Sequence, residues 1–533
     1  MPAMNTIFPR ILAAGSRALL VELPDLDTVL SWHAALSAQP LYGQVETVPA
    51  TNTLLVITDS ALATKRAALS LKTFNPPVVT NQIPQEITIP VIYDGEDLAE
   101  VAASQEMSIA ALIDWHTNIK WRGGFGGFAP GFTYCFPAIA NTGLEIARRD
   151  SPRTTVPAGA VALAGEFSAI YPRQSPGGWQ LIGTTATPMW DSQAQPPALI
   201  QPGDIVSYQA VREFIEISAP INTAAPLPAH KPTLKILDPG LYTVIEDGGR
   251  PGFARLGVTT SGFADRASAA VANRVVGNPT TAAALENIGG LSLISLVDTV
   301  VAVTGAETTV TINSVTVPLG SPQLVPAGST VEISPQILGA RNYVAVRGGL
   351  ICAQELESAA TDVLAGLGPA ALETNDILNT PTQISGSVNL AEPNPLRVTL
   401  QGGTTHGTIR VNAGPRDNWF ESQTAALTSQ LWQVSPQSNR VGLRLKAISE
   451  KGETLPSPIV RKINAELPSE GLVAGAIQVP PNGEPVLFLR DHAVTGGYPI
   501  IATVYFEDLD VAAQLPPGST VSFVLAPSPL QEP

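Results

Sequence analysis

The stretch VPAGAVALAG at residues 156–165 returns in altered form as LVAGAIQVPP at residues 472–481. Two further segments follow each copy in the same order: SPGGWQLIGTT (175–185) and QPGDIVSY (201–208) in the first half, and VTGGYPIIATV (494–504) and PPGSTVSFV (516–524) in the second. The matched glycines are 19 residues apart in the first copy and 22 in the second. Chance similarity of Gly/Pro turns is the alternative, but the shared order and spacing favour one β-rich unit that occurs more than once.

The composition is typical of many short strands rather than long helices. Charged residues make up only 14% of the 533, whereas Gly (45) and Pro (48) are frequent. Apolar segments of roughly four to eight residues lie between these glycines and prolines, as expected for strands and turns. A chain of this length is too long for a single core, and it predicts roughly three or four domains.

The charge balance excludes some classes of partner. The net charge is −15, and no basic stripe is present that could neutralise phosphates, so nucleic acid is excluded and anionic membranes are disfavoured. No apolar run reaches the length of about 18 residues that a membrane span needs. Arg17 and Glu22 interrupt the apolar N-terminal stretch, so a signal peptide is not expected. Only Cys135 and Cys352 are present, which needs no disulfide framework and favours a cytoplasmic protein.

The pattern along the chain predicts an organisation in two halves. Strands and helices alternate through residues 1–95, ending in the strand ITIPVIYD, which predicts a small α/β module. A helical stretch at 96–117, with Ser108 as an N-cap, precedes strands and turns that continue to about residue 218. Residues 218–234 carry four prolines and predict a linker. The second half is β-rich, with helices predicted at about 264–276 and 418–431.

The Gly- and Phe-rich stretch WRGGFGGFAPGFTYCFPA occupies residues 121–138 and contains Pro130 and Gly131. Glycine lets a backbone approach a ligand closely. The glycine spacing is not that of a dinucleotide fingerprint, and no Gly-Lys pair for a phosphate-binding Walker loop occurs in the chain. The stretch is therefore either a ligand loop or a tight turn packed with aromatic rings.

Charged residues form clusters, although the chain contains few of them. One cluster holds three arginines, and another opens the second half. Their members are Arg148, Arg149, Arg153, Glu246, Asp247, Arg250, Arg255, Asp265, Arg266 and Glu286. Arginine can hold a carboxylate or phosphate at two points, and carboxylates can hold Mg²⁺ or act as a base. The alternative is that these groups form internal ion pairs that pin loops.

The five histidines are scattered, and none has a His or Cys neighbour at the spacing of a zinc site. His116 and His492 each lie beside a Gly-rich element, which makes them better candidates than the others, although a lone histidine is more often structural. No metal ligands can be assigned from the sequence.

Long ordered motifs show a resemblance to two protein families. The segments GGFAPGFTYCF, SPRTTVPAGAVALAG and IYPRQSPGGWQLIGTT resemble allophanate hydrolase subunit 1, or the KipI-like family. The segments LDPGLYTVIEDGGRPGFARLGV, SGFADRASAAVANRVVGNP and GAIQVPPNGEPVLFLRDHAVTGGYPIIATV resemble allophanate hydrolase subunit 2, or the KipA-like family. The chain resembles a natural fusion of the two, which are also the B and C subunits of bacterial 5-oxoprolinase.

This resemblance implies a mainly β fold. A small α/β N-terminal module is expected to be followed by cyclophilin-like β-barrel domains, one in the first half and two in the second. The expected barrels span residues 96–217, 235–400 and 401–533.

The resemblance also implies a function. We expect a component of an ATP-dependent 5-oxoprolinase that activates the lactam of 5-oxoproline, by phosphorylation, for ring opening to glutamate. The LamB/YcsF-type protein that forms the A subunit of 5-oxoprolinase is the expected partner, a small amide the substrate, and ATP with Mg²⁺ the cofactors; formation of a homo-oligomer stays open. Two alternatives remain: a KipI/KipA-type regulator that binds a histidine kinase, and a carboxyl-transfer component that acts on urea or a related amide.

Candidate site residues follow from this chemistry and from the positions of the motifs. Proton transfer, base or metal roles are expected for His116, Asp247, Asp265 and Glu286. Binding of substrate or ATP is expected for Pro130, Gly131, Arg148, Arg149, Arg153, Ser175, Gly177, Gly178, Trp179, Arg250, Ser261, Arg266, Gln478, Asp491, Thr495, Gly496, Gly497 and Tyr498.

Overall fold

The computed structural model describes residues 9–76, 84–139, 142–149, 153–214, 227–528 and 530. Short strands dominate and are arranged in closed or nearly closed barrels with few helices, so the predicted mainly β class is confirmed. A small α/β module comes first, followed by one barrel in the first half and two in the second.

The small module is a four-stranded antiparallel sheet covered by two helices. Its elements are β1 (Arg10–Ala13), β2 (Ala18–Glu22), α1 (Leu26–Ala38), β3 (Gln44–Pro49), β4 (Thr53–Thr58) and α2 (Ala61–Leu71), with strand order β1-β2-β4-β3. Asp25 and Ser60 start the two helices, because their side chains accept the N–H groups of Thr28 and Ala63. One face of the sheet packs against the helices, whereas the other faces the second half of the chain.

The first barrel is built on a seven-stranded sheet of order β12-β9-β10-β7-β6-β13-β5. Its elements are β5 (Glu86–Val91), α3 (Leu98–Ser104), α4 (Ile109–Asn118), β6 (Trp121–Gly126), β7 (Thr133–Pro137), β8 (Arg153–Val156), β9 (Ala160–Ala164), β10 (Phe167–Ile170), β11 (Ser175–Gly177), β12 (Gln180–Thr184) and β13 (Ile205–Ala210). Ser108 caps α4 as predicted, by accepting the N–H of Ala111. Since β5 pairs in parallel with β13, this strand belongs to the barrel, and the predicted boundary at residue 95 is too late.

The second barrel combines a six-stranded and a five-stranded sheet around one core. Its elements are β14 (His230–Asp238), β15 (Tyr242–Glu246), α5 (Arg266–Val275), β16 (Ala284–Ile288), β17 (Leu291–Ser295), β18 (Thr299–Glu307), β19 (Val310–Ile312), β20 (Val315–Val317), β21 (Gln323–Val325), β22 (Thr330–Ile333), β23 (Leu338–Val346) and β24 (Ile377–Pro381). The first part of the predicted linker, residues 218–226, lies outside the described residues. The end of the predicted linker, from His230, already forms β14.

The third barrel is an eight-stranded sheet that β26 closes by pairing with both β33 and β34. Its elements are β25 (Thr399–Gln401), β26 (Thr404–Ala413), α6 (Gln423–Thr428), β27 (Leu431–Val434), β28 (Gly442–Ile448), β29 (Glu470–Gly471), β30 (Ala476–Gln478), β31 (Val486–Phe488), β32 (Thr495–Gly496), β33 (Ile500–Val504), α7 (Leu509–Ala513) and β34 (Thr520–Leu525). The helix predicted at 418–431 is shorter than expected, because only residues 423–428 are α-helical after a 3₁₀ turn at 417–419.

The two copies of the sequence repeat occupy corresponding strands. In the first barrel β9 pairs with β12, and in the third barrel β30 pairs with β33. The last strand of each copy also makes the parallel pairing of its sheet, β13 with β5 and β34 with β26. The shared order of letters therefore reflects a shared pairing pattern.

The Gly- and Phe-rich stretch packs inside the molecule and touches the second half. Phe132, Tyr134 and Trp179 form an aromatic cluster with ring centroids 5.2–5.4 Å apart. A Cβ atom at Gly126 would lie 2.4 Å from the carbonyl oxygen of Arg255. The glycines of this stretch therefore permit close contact between the two halves, and its rings fill a core.

A buried charge cluster joins the second and third barrels. We call it the Arg440 cluster, and it comprises Arg440, Glu246, Glu286 and Asp491. Arg440 is 3% exposed and donates to Glu286 at 2.5 Å and to Asp491 at 3.0 Å. Burial raises the pKa of Glu246 well above its usual range, whereas Arg440 and Arg341 outweigh burial at Glu286 and lower its pKa.

Removal of the charge of Arg440 should destabilise the second half. We expect Arg440→Met to lower the free energy of unfolding by about 3–5 kcal/mol, because it leaves buried carboxylates without their partner. Urea denaturation followed by tryptophan fluorescence measures this change. Arg444→Met, at an exposed position on β28, is the matched control and should change stability little; equal stability of the two variants would contradict the assignment.

Addition of a methyl group at Gly126 should disturb the contact between the halves. We expect Gly126→Ala to lower stability by about 1–3 kcal/mol, because the new carbon would meet backbone atoms of residue 255. Gly143→Ala in an exposed loop serves as the control. Thermal unfolding that shows no difference between these two variants would rule out close packing at this point.

Candidate functional site

A cavity of about 370 Å³ lies where the small module meets the second and third barrels. We call it the junction cavity. It is lined by residues 14–18 of the small module, by residues 259–261 and 266 of the second barrel, and by residues 490, 492, 503, 504 and 506 of the third barrel. Since neither half of the chain forms this cavity alone, it exists only where the two are docked.

Apolar packing holds the small module in place around this cavity. Leu20, Val48 and Leu55 on the open face of its sheet form one buried cluster with Ala254 and Val494 of the second half. Backbone contacts reinforce this interface, since Glu46 accepts the N–H groups of residues 252 and 254 at 3.1 Å.

A short turn of the third barrel, Arg490-Asp491-His492, presents two side chains to the junction cavity. Asp491 points into the Arg440 cluster and also accepts the hydroxyl of Ser261 at 2.7 Å. Arg490 and His492, on either side of it, line the cavity. The buried cluster therefore fixes the turn that carries both groups.

His492 is a neutral imidazole in this setting. Burial lowers the pKa of its ring to about 4. Nδ1 lies 2.7 Å from the carbonyl oxygen of Ala493, which requires that this nitrogen carry the proton. The lone pair is then on Nε2, so His492 can accept a hydrogen bond or a proton.

Three arginines surround the ring of Phe506 at the cavity wall. The guanidinium carbons of Arg17, Arg266 and Arg490 lie 3.6, 5.0 and 5.8 Å from the ring centroid. This concentration of positive charge contrasts with the net charge of −15 for the whole chain. The cavity is therefore suited to an anionic ligand or group.

Helix α5 places Arg266 at the cavity because of how it begins. The Asp265 side chain caps it by accepting from the N–H of Ser268 at 3.0 Å, and it also accepts from Gln514 of the third barrel at 2.8 Å. Burial, followed by the charge of Asp510, raises the pKa of Asp265 to about 6. The role of Asp265 in this structure is to hold the helix start, with no direct place in the cavity lining.

Other predicted residues of the second half lie behind the cavity wall. Asp247 accepts from Gly249, Ser358 and Ala359 at 2.6–2.7 Å, and so pins a loop. Arg250 donates to the carbonyl oxygens of residues 355 and 360. Together with Glu286 in the Arg440 cluster, these groups form internal contacts. Of the predicted residues, Ser261 and Arg266 line the junction cavity directly.

The predicted proton-transfer residue His116 lies away from the cavity, in the core of the first barrel. Its side chain is fully buried, and burial lowers its pKa to about 3. The ring nitrogens contact Tyr93 at 2.7 Å and Ser168 at 3.0 Å, while the ring stacks on Tyr208. This geometry corrects the proposed catalytic role, because the imidazole has no access to a ligand.

The three arginines of the first half are engaged in ion pairs. Arg149 and Arg153 both bind Asp97, at 2.8 and 2.7 Å, and Arg148 binds Glu466 of the second half at 3.1 Å. The alternative interpretation of these residues, that they pin loops, is the one that the contacts support.

The remaining predicted residues lie outside the lining of the junction cavity, and some of them contact the other half of the chain. Gly131 donates to the carbonyl of Leu256, and Gly178 accepts from Arg149. Thr495 packs against Gly127, and Gln478 donates to the carbonyl of Tyr498 at 2.9 Å. None of the predicted residues Pro130, Ser175, Gly177, Trp179, Gly496 and Gly497 is among the lining of the junction cavity.

Four residues that line the cavity are absent from the predicted site. They are Arg17, Arg490, Phe506 and His492, and the sequence favoured His492 only over the other histidines. Arg490 and His492 flank the predicted residue Asp491. Because side chains alternate along an extended segment, the sequence could have indicated that both point to the side opposite Asp491. Arg17 and Phe506 have no local signal of this kind, because only docking of the halves makes them neighbours.

Within the part of the chain that the structure describes, no three His, Cys, Asp or Glu side chains converge as metal ligands would. None of the helices in the described ranges is long and apolar enough to cross a membrane.

Comparisons with known proteins follow the division into halves. The carboxyltransferase domain family matches twice, with subdomains C and D at residues 9–200 and subdomains A and B at residues 256–525. The C subunit of 5-oxoprolinase from Escherichia coli (strain K12) is 35% identical over 297 residues, which are 55% of this chain and 90% of that protein. The B subunit of 5-oxoprolinase from Bacillus subtilis (strain 168) is 42% identical over 132 residues, 24% of this chain and 53% of that protein.

A solved structure resembles almost the whole chain. The crystal structure of TTHA0988 has 31% identity and a TM-score of 0.81, and the match covers 95% of this chain and 99% of that one. The urea amidolyase of Saccharomyces cerevisiae is 31% identical over 315 residues, 55% of this chain but only 17% of that protein. The predicted fusion of the two types of 5-oxoprolinase component is confirmed. This chain belongs to the carboxyltransferase domain family, with subdomains C and D in its first half and subdomains A and B in its second.

Proposed function

We propose that this chain is the component of an ATP-dependent 5-oxoprolinase that binds 5-oxoproline and prepares its lactam for ring opening to glutamate. The observation that carries the proposal is the junction cavity. One of its walls comes from the half that resembles the B component of 5-oxoprolinase, and the others come from the half that resembles the C component. Ring opening itself would take place together with a LamB/YcsF-type protein.

The size and lining of the cavity support a small amide as substrate. A volume of about 370 Å³ is near the lower end of the range for ligand pockets, and so suits one small molecule. Guanidinium groups on one wall can hold an anionic group, and Nε2 of the neutral His492 can accept a hydrogen bond from the N–H of an amide.

ATP and Mg²⁺ belong to the proposal as cofactors. Arginine side chains suit phosphate as well as carboxylate, so the cavity chemistry is compatible with a nucleotide phosphate. Magnesium commonly uses one or two carboxylates together with substrate phosphates, and therefore does not need a preformed protein cage.

A second candidate function is carboxyl transfer to urea or a related amide. The family description and the similarity to a urea amidolyase favour it. It predicts that the chain works with a separate biotin protein, and that ring opening of 5-oxoproline is absent.

The regulatory alternative, docking on a histidine kinase, predicts no gain of thermal stability from Mg·ATP.

The direct test is ATP hydrolysis by the purified chain with 5-oxoproline and Mg²⁺, with and without a LamB/YcsF-type partner. We expect glutamate and ADP to appear together only when both proteins are present. Absence of turnover with saturating partner, under conditions where a known 5-oxoprolinase works, would contradict the proposal.

His492 should be needed for turnover in that assay. We expect His492→Gln to lower kcat/KM by about 100-fold or more, since loss of a positioned proton acceptor typically has this effect. His406→Gln, in the third barrel but outside the cavity, is the control. Unchanged kcat/KM in the His492 variant would remove the residue from the site.

The pH dependence of turnover should report the same group. Because its pKa is lowered to about 4, His492 is neutral at neutral pH and becomes charged only as the pH falls towards that value. We expect the His492-dependent part of kcat/KM to be constant from about pH 6 to about pH 8, and to fall only in acid. An inflection near pH 6.5 that the His492→Gln variant lacks would contradict this environment.

A further inference from the structure

The side chain of Arg490 is buried in the cavity wall without full hydrogen bonding. The residue is 8% exposed, and its Nη2 atom has no hydrogen-bond acceptor among the described residues. Burial, followed by the charge of Arg266, lowers the pKa of Arg490 to about 9. A buried donor without an acceptor is unfavourable, so this position lacks a hydrogen-bond acceptor that the described residues do not supply.

Arg266 adds a second cation at the same place. Burial lowers its pKa, and the charge of Arg17 lowers it further, against the opposing effect of Asp510. Asp510 is the carboxylate that faces both Arg266 and Arg490. It also accepts the backbone N–H of Arg266 at 3.0 Å, where helix α5 begins. This carboxylate already accepts from a helix N-terminus and also feels the charge of Arg397, so it is shared among Arg266, Arg490 and Arg397.

The third arginine does not contribute to this surplus. Arg17 pairs with Glu507 at 2.9 Å and donates to the carbonyl of Asp59 at 2.8 Å. Its charge is therefore compensated by partners within the chain. The uncompensated positive charge of the junction cavity lies at Arg266 and Arg490, beside the ring of Phe506.

We propose that Arg266 and Arg490 form an oxyanion subsite, which binds a carboxylate or phosphate group of the ligand in the junction cavity. Arginine presents parallel N–H donors that match both groups. This inference rests on the proposed function, and it names the two side chains that would hold the anionic group of the substrate or of a nucleotide.

The position of the subsite relative to His492 defines the kind of amide. Arg490 and His492 line the cavity from either side of Asp491. One turn therefore carries both the cation that would bind the anionic group and the nitrogen that would accept a hydrogen bond from the amide N–H. A cyclic amide with a carboxylate on the carbon next to its nitrogen suits this arrangement. The same lactam without its carboxylate would lack an anchor at Arg490.

A structural role for Arg490 makes the opposite prediction about stability. If the guanidinium stabilised the fold, its removal would destabilise the chain, as for Arg440. A buried cation that shares its only facing carboxylate and has an unsatisfied donor should instead be replaceable by an apolar side chain of similar length without loss of stability. We therefore expect Arg490→Met to keep or raise the melting temperature of the full chain.

The test measures binding by the full chain without any partner protein. Calorimetric titrations use 5-oxoproline, 2-pyrrolidinone as the same lactam without the carboxylate, and inorganic phosphate. The variants are Arg490→Met and Arg266→Met, with Arg274→Met as the control; Arg274 lies on the same helix but pairs with Glu392 outside the cavity. We expect each cavity variant to weaken binding of the oxyanion by about 10- to 100-fold, and the control to leave it unchanged.

The ligand series distinguishes the source of the oxyanion. Binding of 5-oxoproline but not 2-pyrrolidinone, with dependence on Arg490, supports the subsite and assigns it to the substrate carboxylate. Binding of phosphate with the same dependence supports the subsite and assigns it to a phosphoryl group. Equal binding of both lactams, or oxyanion binding that Arg490→Met leaves unchanged, would overturn it.

Turnover separates this inference from the proposed function. If the wild-type chain binds 5-oxoproline through Arg490 but forms no glutamate with the LamB/YcsF-type partner and ATP, the proposed function fails and the subsite stands. If glutamate forms and Arg490→Met leaves KM unchanged, the subsite fails and the proposed function stands.

Discussion

The burial of Arg440 between two barrels is the constraint on which the rest of the site depends. A guanidinium that is 3% exposed must be matched by carboxylates, and the chain supplies them from both barrels of the second half. Asp491 is one of them, and its engagement on the inner side of a turn leaves Arg490 and His492 on the cavity side. The Arg440 cluster thus joins the barrels and also orients Arg490 and His492, the side chains that would contact a ligand.

The same logic explains why the two halves must be docked for the cavity to exist. The small module closes it on one side through a cluster of apolar side chains, and the glycines near residue 126 allow the first barrel to approach the second. Joining both halves in one chain keeps them at high local concentration, so that the interface forms intramolecularly. The C subunit of 5-oxoprolinase from Escherichia coli matches 55% of this chain, whereas the TTHA0988 structure matches 95% of it.

Much of the fold could be predicted from the sequence, because its signals are local. The turn-strand-turn repeat predicted related β units, and the cap at Ser108 predicted a helix start. The parallel partner of β5 could not be predicted, because it lies far along the chain, at Ile205–Ala210. The sequence predicts a role for His116 because it lies beside a Gly-rich stretch. Its ring is instead hydrogen-bonded to Tyr93 and Ser168, which are distant in sequence and could not be identified as its partners. The selected acids were near the site, but their role in fixing loops depends on partners that only the structure shows.

The central claim is that the junction cavity is a binding site for a small anionic amide. The most direct measurement is a crystal structure of the full chain with 5-oxoproline at saturating concentration. We expect one ligand in the junction cavity, with its carboxylate oxygens about 3 Å from guanidinium nitrogens of Arg266 and Arg490 and its amide facing His492. A ligand bound elsewhere in the molecule, with the junction cavity free of it, would contradict the account.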